Sequence, residues 1–381
     1  MTRSCSVCHT LWVAFFFAGV FPIPLVEAAS FHIPDAQEDP VFDVFTKDGA
    51  SGSRVEVSAG SALRGENNID SVWDVTDYSK PPRLFKGKSG FAVITGAGWL
   101  QVDVGGWKFG AGTGWVDSYA GNADAAQLWI DLHSGYSLKT VYLPRAQYRK
   151  ISVQWLGLGR RFPVRVGSTL VDVEVDLRQL ISNSFEELAV DGFVSGDEFA
   201  GSAARLYSDS DLGRSFGHGW CIDAAATLET AKWRTKLCVE GILGRLSWDG
   251  LVLDKGYISS PRVFTDADGF LRYIGGDFTG VTSVRSLSGY INPQVKVSFA
   301  GRSGTAPVFS ASFRRGDKPK LGVGIGWRRT EDCAGYVRYY PCSKVGELGV
   351  CTSVLRLRIY SDSWLLRSPK SALAEVSFAL R

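Results

Sequence analysis

The chain of 381 residues carries 42 Lys and Arg against 39 Asp and Glu, a formal net charge of +3. This excess is too small to indicate a nucleic-acid partner, and we expect none. Glycine occurs 43 times, aromatic residues make up 12% of the chain and methionine occurs once. The composition favours many tight turns with interfacial Trp and Tyr, and gives little support to a helical core.

The first residues carry the pattern of a secretory signal. An apolar run over residues 11–26 precedes Val26 and Ala28, which form a small-x-small cleavage pattern. Two prolines break this run, which favours cleavage after Ala28 over retention as a membrane anchor. No later apolar segment approaches the roughly 18 residues of a spanning helix, so the sequence excludes a helical membrane protein.

The stretch that follows the signal carries little periodic signal. Within residues 29–88 we predict one strand, at 53–63, and otherwise an irregular, plug-like segment rich in proline and charge. From residue 89 onward, short alternating runs are separated by glycine-rich breaks, which is typical of hairpins. The sequence thus predicts a signal peptide at 1–28, an irregular segment at 29–88 and a β-barrel at 89–381.

Alternation of apolar and polar residues predicts several strands in the first half of the barrel. The alternating apolar positions include Leu100, Val102, Val104, Leu128, Ile130, Leu132, Val171, Val173, Val175 and Leu177. Residues 179–215 lack a clear period, and we expect a long loop there with a short helix over 179–190.

The middle of the chain gives the clearest hairpin pattern. If the chain reverses at residues 229–230, apolar residues of the two arms face each other and polar residues face polar ones. In that register Ile222 faces Leu237. Each arm has about the 9–11 residues that a tilted strand needs to cross a bilayer. The stretch therefore predicts a transmembrane hairpin, with lipid on one face and the lumen on the other.

Five cysteines lie beyond the signal, so at least one has no partner within the chain. The predicted register places Cys221 opposite Cys238 on the same face, which makes this pair a candidate disulfide. The alternative is that both are small, unpaired lumen residues. For Cys333, Cys342 and Cys351 the sequence does not select a pairing.

The second half of the chain resembles the first in its pattern. Residues 249–287 predict another long loop, and alternating strands then continue to the end of the chain. The total is about 12–14 strands, and even numbers are usual in single-chain barrels. The turns at 229–230 and 301–304 then lie on the periplasmic side and the long loops outside. Residues 330–350 are too long for a periplasmic turn unless they hold two extra short strands.

Rows of charged side chains occupy the polar faces of the predicted strands. On the lipid face a mid-membrane Arg or Lys would cost roughly 2–4 kcal/mol, so these rows are expected to face the lumen. Two interpretations remain open: acidic and basic walls that select solutes by charge, or charges that pair across a filled lumen and make it rigid. The predicted pore-lining residues are Asp172, Glu174, Asp176, Asp223, Lys232, Arg234, Lys236, Arg356 and Arg358.

The predicted hairpin also carries a recognisable glycine pattern. Gly217, Gly219 and Asp223 form a Gly-x-Gly-x-x-x-Asp strand, and Gly244 and Trp248 lie near the end of the second strand. In these residues the stretch resembles a hairpin of bacterial outer-membrane barrels of the long-chain fatty-acid transporter type. The resemblance implies an outer-membrane channel or transporter of a two-membraned bacterium.

Little in the sequence indicates catalysis. His32, His133 and His218 lie in separate segments, so neither a metal cluster nor a Ser-His-Asp arrangement is expected. A glycosidase-like use of Asp172 and Glu174 is disfavoured, because acidic rows are common inside barrels. We therefore predict no enzyme, catalytic residue, metal or cofactor.

Three functions fit these observations. The first is an exported, all-β antiparallel transmembrane barrel with long outer loops, located in the bacterial outer membrane, where it contacts lipid and passes small-molecule solutes. The second is a plugged outer-membrane barrel that serves as a structural or secretion-apparatus component. The third is a secreted β-rich protein that binds carbohydrate through its tryptophans. The sequence does not indicate the number of subunits.

Overall fold

A computed structural model describes residues 29–31, 55–68, 85–133, 141–167, 169–195, 198–209, 216–260, 263–265, 271–273, 277–301, 305–314, 320–330, 333–363 and 370–380. The predicted signal peptide and most of the plug-like segment lie outside the described residues. Within the described part of the chain, no helix combines the length and the apolar character needed to cross a membrane.

The residues that the structure describes form twenty strands and one helix. Their bounds are β1 Ala29–Phe31, β2 Glu56–Asn67, β3 Ser89–Val104, β4 Trp107–Asn122, α1 Ala123–His133, β5 Val141–Tyr142, β6 Arg145–Val166, β7 Thr169–Ser195, β8 Glu198–Tyr207, β9 Gly217–Glu229, β10 Trp233–Ser260, β11 Val263–Thr265, β12 Leu271–Tyr273, β13 Asp277–Ile291, β14 Gln294–Gly301, β15 Thr305–Arg314, β16 Lys320–Thr330, β17 Cys333–Tyr340, β18 Val345–Thr352, β19 Leu355–Ser361 and β20 Ser371–Leu380.

Fourteen of these strands close into one antiparallel barrel. The order around the barrel is β2, β3, β4, β6, β7, β9, β10 and then β14 to β20, and β20 pairs with β2 to close it. The closing register runs from Val57 opposite Leu380 to Glu66 opposite Ser371. The predicted all-β barrel of 12–14 strands is confirmed. Because β2 is a barrel strand, the barrel begins before the predicted boundary at residue 89.

The two ends of the barrel differ in their connections. At one end, short turns join β3 to β4, β6 to β7, β9 to β10, β14 to β15, β16 to β17 and β18 to β19. We call this the short-turn end. The longer connections lie at the other end, as predicted for 179–215 and 249–287. Residues 330–350 hold β17 and β18, the two extra strands that the prediction required, so no long turn remains at the short-turn end.

Strands β1, β5, β8 and β13 belong to the same sheet and extend the barrel wall beyond its other end. Residues 171–182 of β7 pair with β9, and residues 186–195 of the same strand pair with β8. Residues 233–240 of β10 likewise pair with β14, and the residues from 245 onward pair with β13 and, from 252, also with β8. Strand β1 adds a short parallel pairing at residues 289–291 of β13. Much of the predicted loops is therefore extended sheet.

Two predicted elements are wrong in type. The helix expected over 179–190 is part of β7. The strand expected around Leu128 is helix α1 (Ala123–His133). The Asn122 side chain caps this helix, since its Oδ1 accepts a hydrogen bond from the Ala125 N–H at 2.9 Å. Ala126 and Ile130, four residues apart, are buried on one side of the helix.

Side chains alternate between the outer and inner faces of the barrel wall, as predicted. On β19, Leu355, Leu357 and Ile359 are exposed on the outer face. Arg356, which lies between two of them, is buried on the inner face. Strand β7 shows the same alternation, with Leu177 exposed and Asp176 buried. Successive strand residues point to opposite faces, so one face carries the apolar set and the other the charged set.

Apolar side chains fill part of the barrel interior towards the long-connection end. The buried cluster consists of Trp99, Ile151, Val153, Trp155, Leu180, Phe185, Cys221, Leu246, Trp248, Leu251 and Ile291. Within it the rings of Phe185 and Trp248 lie 4.9 Å apart between centroids. A fourteen-stranded barrel is wide enough to leave a lumen unless side chains fill it. This cluster narrows the lumen on the side of β6, β7 and β10.

Candidate functional site: the barrel lumen

Seven of the nine predicted pore-lining residues lie on the inner face of the wall. Asp176, Asp223, Arg234 and Arg356 are buried there. Glu174 and Arg358 keep 13% and 17% of their side chains exposed. Lys236, on the same face of β10 as Arg234, is partly exposed. The prediction assigned these residues to the inner face because alternate residues of a strand point to the same side. The structure shows the same alternation.

The other two residues lie at the short-turn end. Asp172 has the same inner-face parity on β7 as Glu174 and Asp176, but it is exposed near the tip of the β6–β7 hairpin. Lys232 is exposed in the turn before β10, so it does not line the wall. The prediction that Lys232 lines the pore is therefore wrong, because the chain reverses later than the sequence predicted. The Thr230 N–H donates to the carbonyl oxygen of Trp233 at 2.8 Å, which moves the reversal past residues 229–230.

The later turn also changes the register of the central hairpin. Leu237 faces Ala226 rather than Ile222. Cys221 faces Gly244, and Cys238 faces Ala225. The predicted Cys221–Cys238 disulfide is therefore wrong: neither cysteine is in a disulfide, and both are buried. The structure agrees instead with the alternative of two small cysteines that are not bonded to each other.

Ion pairs connect neighbouring strands along one side of the lumen. Lys108 Nζ lies 2.7 Å from Glu174 Oε1 and 2.9 Å from Asp176 Oδ2. Arg161 contacts the other oxygen of Glu174 at 2.9 Å. On β14, Lys296 pairs with Glu240 of β10 at 2.6 Å. Two members of the predicted acidic row, Glu174 and Asp176, are thus paired with basic residues of β4 and β6.

Asp223 is the most heavily bonded carboxylate on this side. It accepts a hydrogen bond from Arg178 Nε at 2.6 Å and also contacts the Nη2 of that side chain. Its second oxygen accepts from the Gly241 N–H at 2.7 Å and from the Cys221 thiol at 3.3 Å. Gly241 has φ +65° and lies where the β9–β10 register shifts between Val239 and Leu243. Asp223 therefore holds a β-bulge in place.

A second group of ion pairs lies across β2 and β16 to β20. Glu347 accepts hydrogen bonds from Arg338 at 2.7 Å, from the Tyr336 hydroxyl at 2.6 Å and from the Tyr340 hydroxyl at 2.8 Å. Arg358 pairs with Glu375. Since one carboxylate joins three donors, this group fixes the packing of β17 against β18.

Glu66 of β2 connects two distant parts of this same wall. It pairs with Lys320 of β16 at 2.8 Å and with Arg64. It also accepts a hydrogen bond from the Tyr360 hydroxyl at 2.8 Å. Acids and bases therefore interleave on both sides of the lumen. Of the two interpretations of the charged rows, separate acidic and basic walls do not describe this arrangement.

The described part of the lumen contains cavities of different character. A narrow one of about 30 Å³ lies beside Trp155, Lys108 and Asp176. A larger one of about 160 Å³ lies among Arg64, Lys296 and the second group of ion pairs. A third space, of about 920 Å³, lies in the sheet extension and is lined mainly by small residues.

Several luminal residues escaped the sequence prediction. Glu66 lies in a segment expected to be irregular, and Arg338 and Glu347 lie in the unassigned 330–350 stretch. The alternation of Tyr336, Arg338 and Tyr340 could have indicated an inner strand face. No local signal indicates the pairing of Glu66 with Lys320, because these residues are 254 positions apart.

In the part of the chain that the structure describes, no set of three or more His, Cys, Asp or Glu residues is placed to hold a metal ion. The site is defined instead by paired charges, hydroxyls and cavities on the inner face of a closed barrel.

Comparisons with known proteins give similarity to solved structures at low sequence identity. No protein-family model and no curated protein sequence matches it. Among solved structures, it is similar to the P. putida toluene transporter TodX, at 9% identity and a TM-score of 0.45, over 86% of this chain and 90% of that one. It is also similar to the CymD monoaromatic hydrocarbon channel, at 9% identity and 0.32, over 85% and 86%. The outer membrane protease OmpT of Escherichia coli is a third, at 9% identity and 0.20, over 85% and 93%.

Proposed function

We propose that the protein is an outer-membrane channel that passes small solutes through a polar lumen. The observation that carries this proposal is the division of one closed barrel into an apolar outer face and a charged inner face. Solutes that pass meet the paired charges of the lumen, and outer-membrane lipid contacts the outer face. The proposal includes no catalytic step.

The outer face supports a membrane location. Leu156, Leu177 and Leu321 are each at least half exposed, and they belong to an apolar surface that surrounds the barrel. Soluble monomers rarely expose contiguous apolar patches of more than a few hundred Å². Trp107 and Trp327 are also exposed close to the short-turn end, where an aromatic girdle would meet the membrane interface. A secreted carbohydrate-binding protein would have no use for such a surface.

The inner face supports passage of polar solutes. Arg64 and Lys320 keep 35% and 34% of their side chains exposed, and both line a cavity of about 160 Å³. A lumen that served only as a scaffold would favour complete filling by apolar side chains, because paired charges give little net stability when buried. The buried cluster around Trp248 fills only one side.

Conductance in planar lipid bilayers tests the proposal. Purified, refolded protein should give discrete current steps in KCl, and vesicles that contain it should swell in small sugars and salts. A plugged structural barrel, the second candidate function, would insert into the bilayer without conducting. Stable insertion without current would therefore refute the channel and favour the scaffold.

A further inference from the structure

The cavity of about 160 Å³ has a strongly one-sided lining. Five basic side chains and one carboxylate line it, and we call this space the basic chamber. They are Arg64, Lys296, Lys320, Arg338, Arg358 and Glu347. They come from strands β2, β14, β16, β17, β18 and β19, so the chamber lies between opposite parts of the wall.

Most of the carboxylates that pair with these bases lie outside the lining of the chamber, so the cationic groups face its interior. Glu66, Glu240 and Glu375 bond to Lys320, Lys296 and Arg358, yet among the described carboxylates only Glu347 lines the chamber. An incoming solute therefore meets ammonium and guanidinium groups before it meets their partners. The protein wall around the chamber has a low dielectric and focuses this field, so the chamber has a positive potential.

Hydroxyl groups complete a set of hydrogen-bond donors. Ser310 and Ser312 lie among the lining residues. Guanidinium groups bind carboxylates through two parallel hydrogen bonds, and hydroxyls can donate to the same oxygens. Ala311 and Leu373 supply an apolar surface in the same chamber. The lining suits a molecule with one anionic end and a short hydrocarbon body.

The volume limits the size of that molecule. A cavity of roughly 150 Å³ accommodates a benzene ring, and the chamber has about 160 Å³. We propose that the basic chamber is a binding site for small organic carboxylates of about the size of benzoate. The inference rests on the proposed channel function, and it names the class of solute that the channel selects.

Binding to the detergent-solubilised protein tests the chamber directly. Isothermal titration with benzoate, benzyl alcohol and benzylamine compares an anion, a neutral molecule and a cation of nearly equal size. We expect saturable binding of benzoate, weaker binding of benzyl alcohol and none of benzylamine. Equal binding of all three, or no binding of benzoate, would overturn the inference.

Lysine variants locate the site. Lys320→Gln and Lys296→Gln each remove one charge from the chamber and should weaken benzoate binding about tenfold, as expected for one charge-assisted hydrogen bond. Lys236→Gln removes a luminal charge outside the chamber and should leave the affinity within twofold. Resistance of each variant to unfolding in cold detergent confirms that it is folded. A loss of affinity as large in Lys236→Gln as in the chamber variants would contradict the assignment.

Conductance separates this inference from the channel proposal. In a KCl gradient the reversal potential should show selectivity for chloride, and millimolar benzoate should reduce the current. Benzoate binding without any conductance would refute the channel but keep the site. Conductance without anion preference and without benzoate binding would refute the site and keep the channel.

Discussion

Removal of the Asp223 carboxylate should destabilise the barrel more than any loss of a surface charge. In Asp223→Ala the Arg178 guanidinium, of whose side chain 9% is exposed, loses its partner, and the buried Gly241 N–H loses its acceptor. Breaking one side of a buried ion pair costs about 3–5 kcal/mol. An unsatisfied buried N–H costs about 1–3 kcal/mol, although the two effects need not add. We expect a loss of about 4 kcal/mol in the free energy of unfolding.

Urea unfolding from lipid vesicles, followed by tryptophan fluorescence, measures this loss. Asp191→Ala is the matched control, because Asp191 pairs with Arg145 at 3.2 Å while 60% of its side chain is exposed. An exposed pair contributes about 0–1 kcal/mol. Asp223→Asn keeps an acceptor for Gly241 and should fall between the two. If Asp223→Ala cost no more than Asp191→Ala, the proposed role of Asp223 at the bulge would be refuted.

Three further predictions test the faces and the packing of the wall. Leu237→Arg places a charge on the outer face and should block assembly into membranes, whereas Lys236→Leu on the inner face should not; equal damage from both would contradict the assignment. Gly112→Ala should cost about 1–3 kcal/mol in the urea assay, because a Cβ there would lie 2.6 Å from the Trp155 indole; Gly98→Ala, with no neighbour closer than 3.8 Å, should be nearly neutral. The membrane-fraction protein should migrate differently on a denaturing gel before and after boiling, and identical migration would argue against a closed barrel.

Strand parity was the part of the structure that the sequence revealed most fully. Along residues 171–178 of β7 and 355–359 of β19, apolar and charged residues alternate without interruption, so the inner and outer faces follow from the period of two. The same pattern identified Asp176, Asp223 and Arg356 as luminal. The local sequence is enough to assign the two faces, because in these segments residues of the outer face are apolar and residues of the inner face are polar or charged.

The register of the central hairpin could not be obtained in this way. Moving the partner of Leu237 from Ile222 to Ala226 shifts the pairing by an even number of residues. Such a shift keeps each side chain on its own face of the wall, so the pattern of apolar and polar residues fits both registers. The turn decides between them, through bonds from Thr230 to Trp233 that depend on backbone geometry. The error in the cysteine pairing follows from the same cause.

The two wrong secondary-structure predictions concern residues near the long-connection end of the barrel, where the outer face is less apolar. In the sheet extension both faces of β7 carry polar residues, so the period of two is lost and residues 179–190 are mistaken for a loop and helix. The alternation of Leu128, Ile130 and Leu132 predicted a strand, but the Asn122 cap and the alanines of α1 favour a helix. Luminal partners such as Glu66 depend on closure of the barrel, which joins residues far apart in the chain.

The central claim is that the apolar face of the wall contacts lipid while the charged face lines the lumen. Spin labels placed singly at Leu355, Arg356, Leu357, Arg358 and Ile359 in reconstituted vesicles test it most directly. Accessibility to oxygen, which partitions into lipid, should be high at the three odd positions and low at the two even ones. Accessibility to a water-soluble nickel complex should show the opposite phase. Uniform accessibility along the strand, or the reverse phase, would contradict the account.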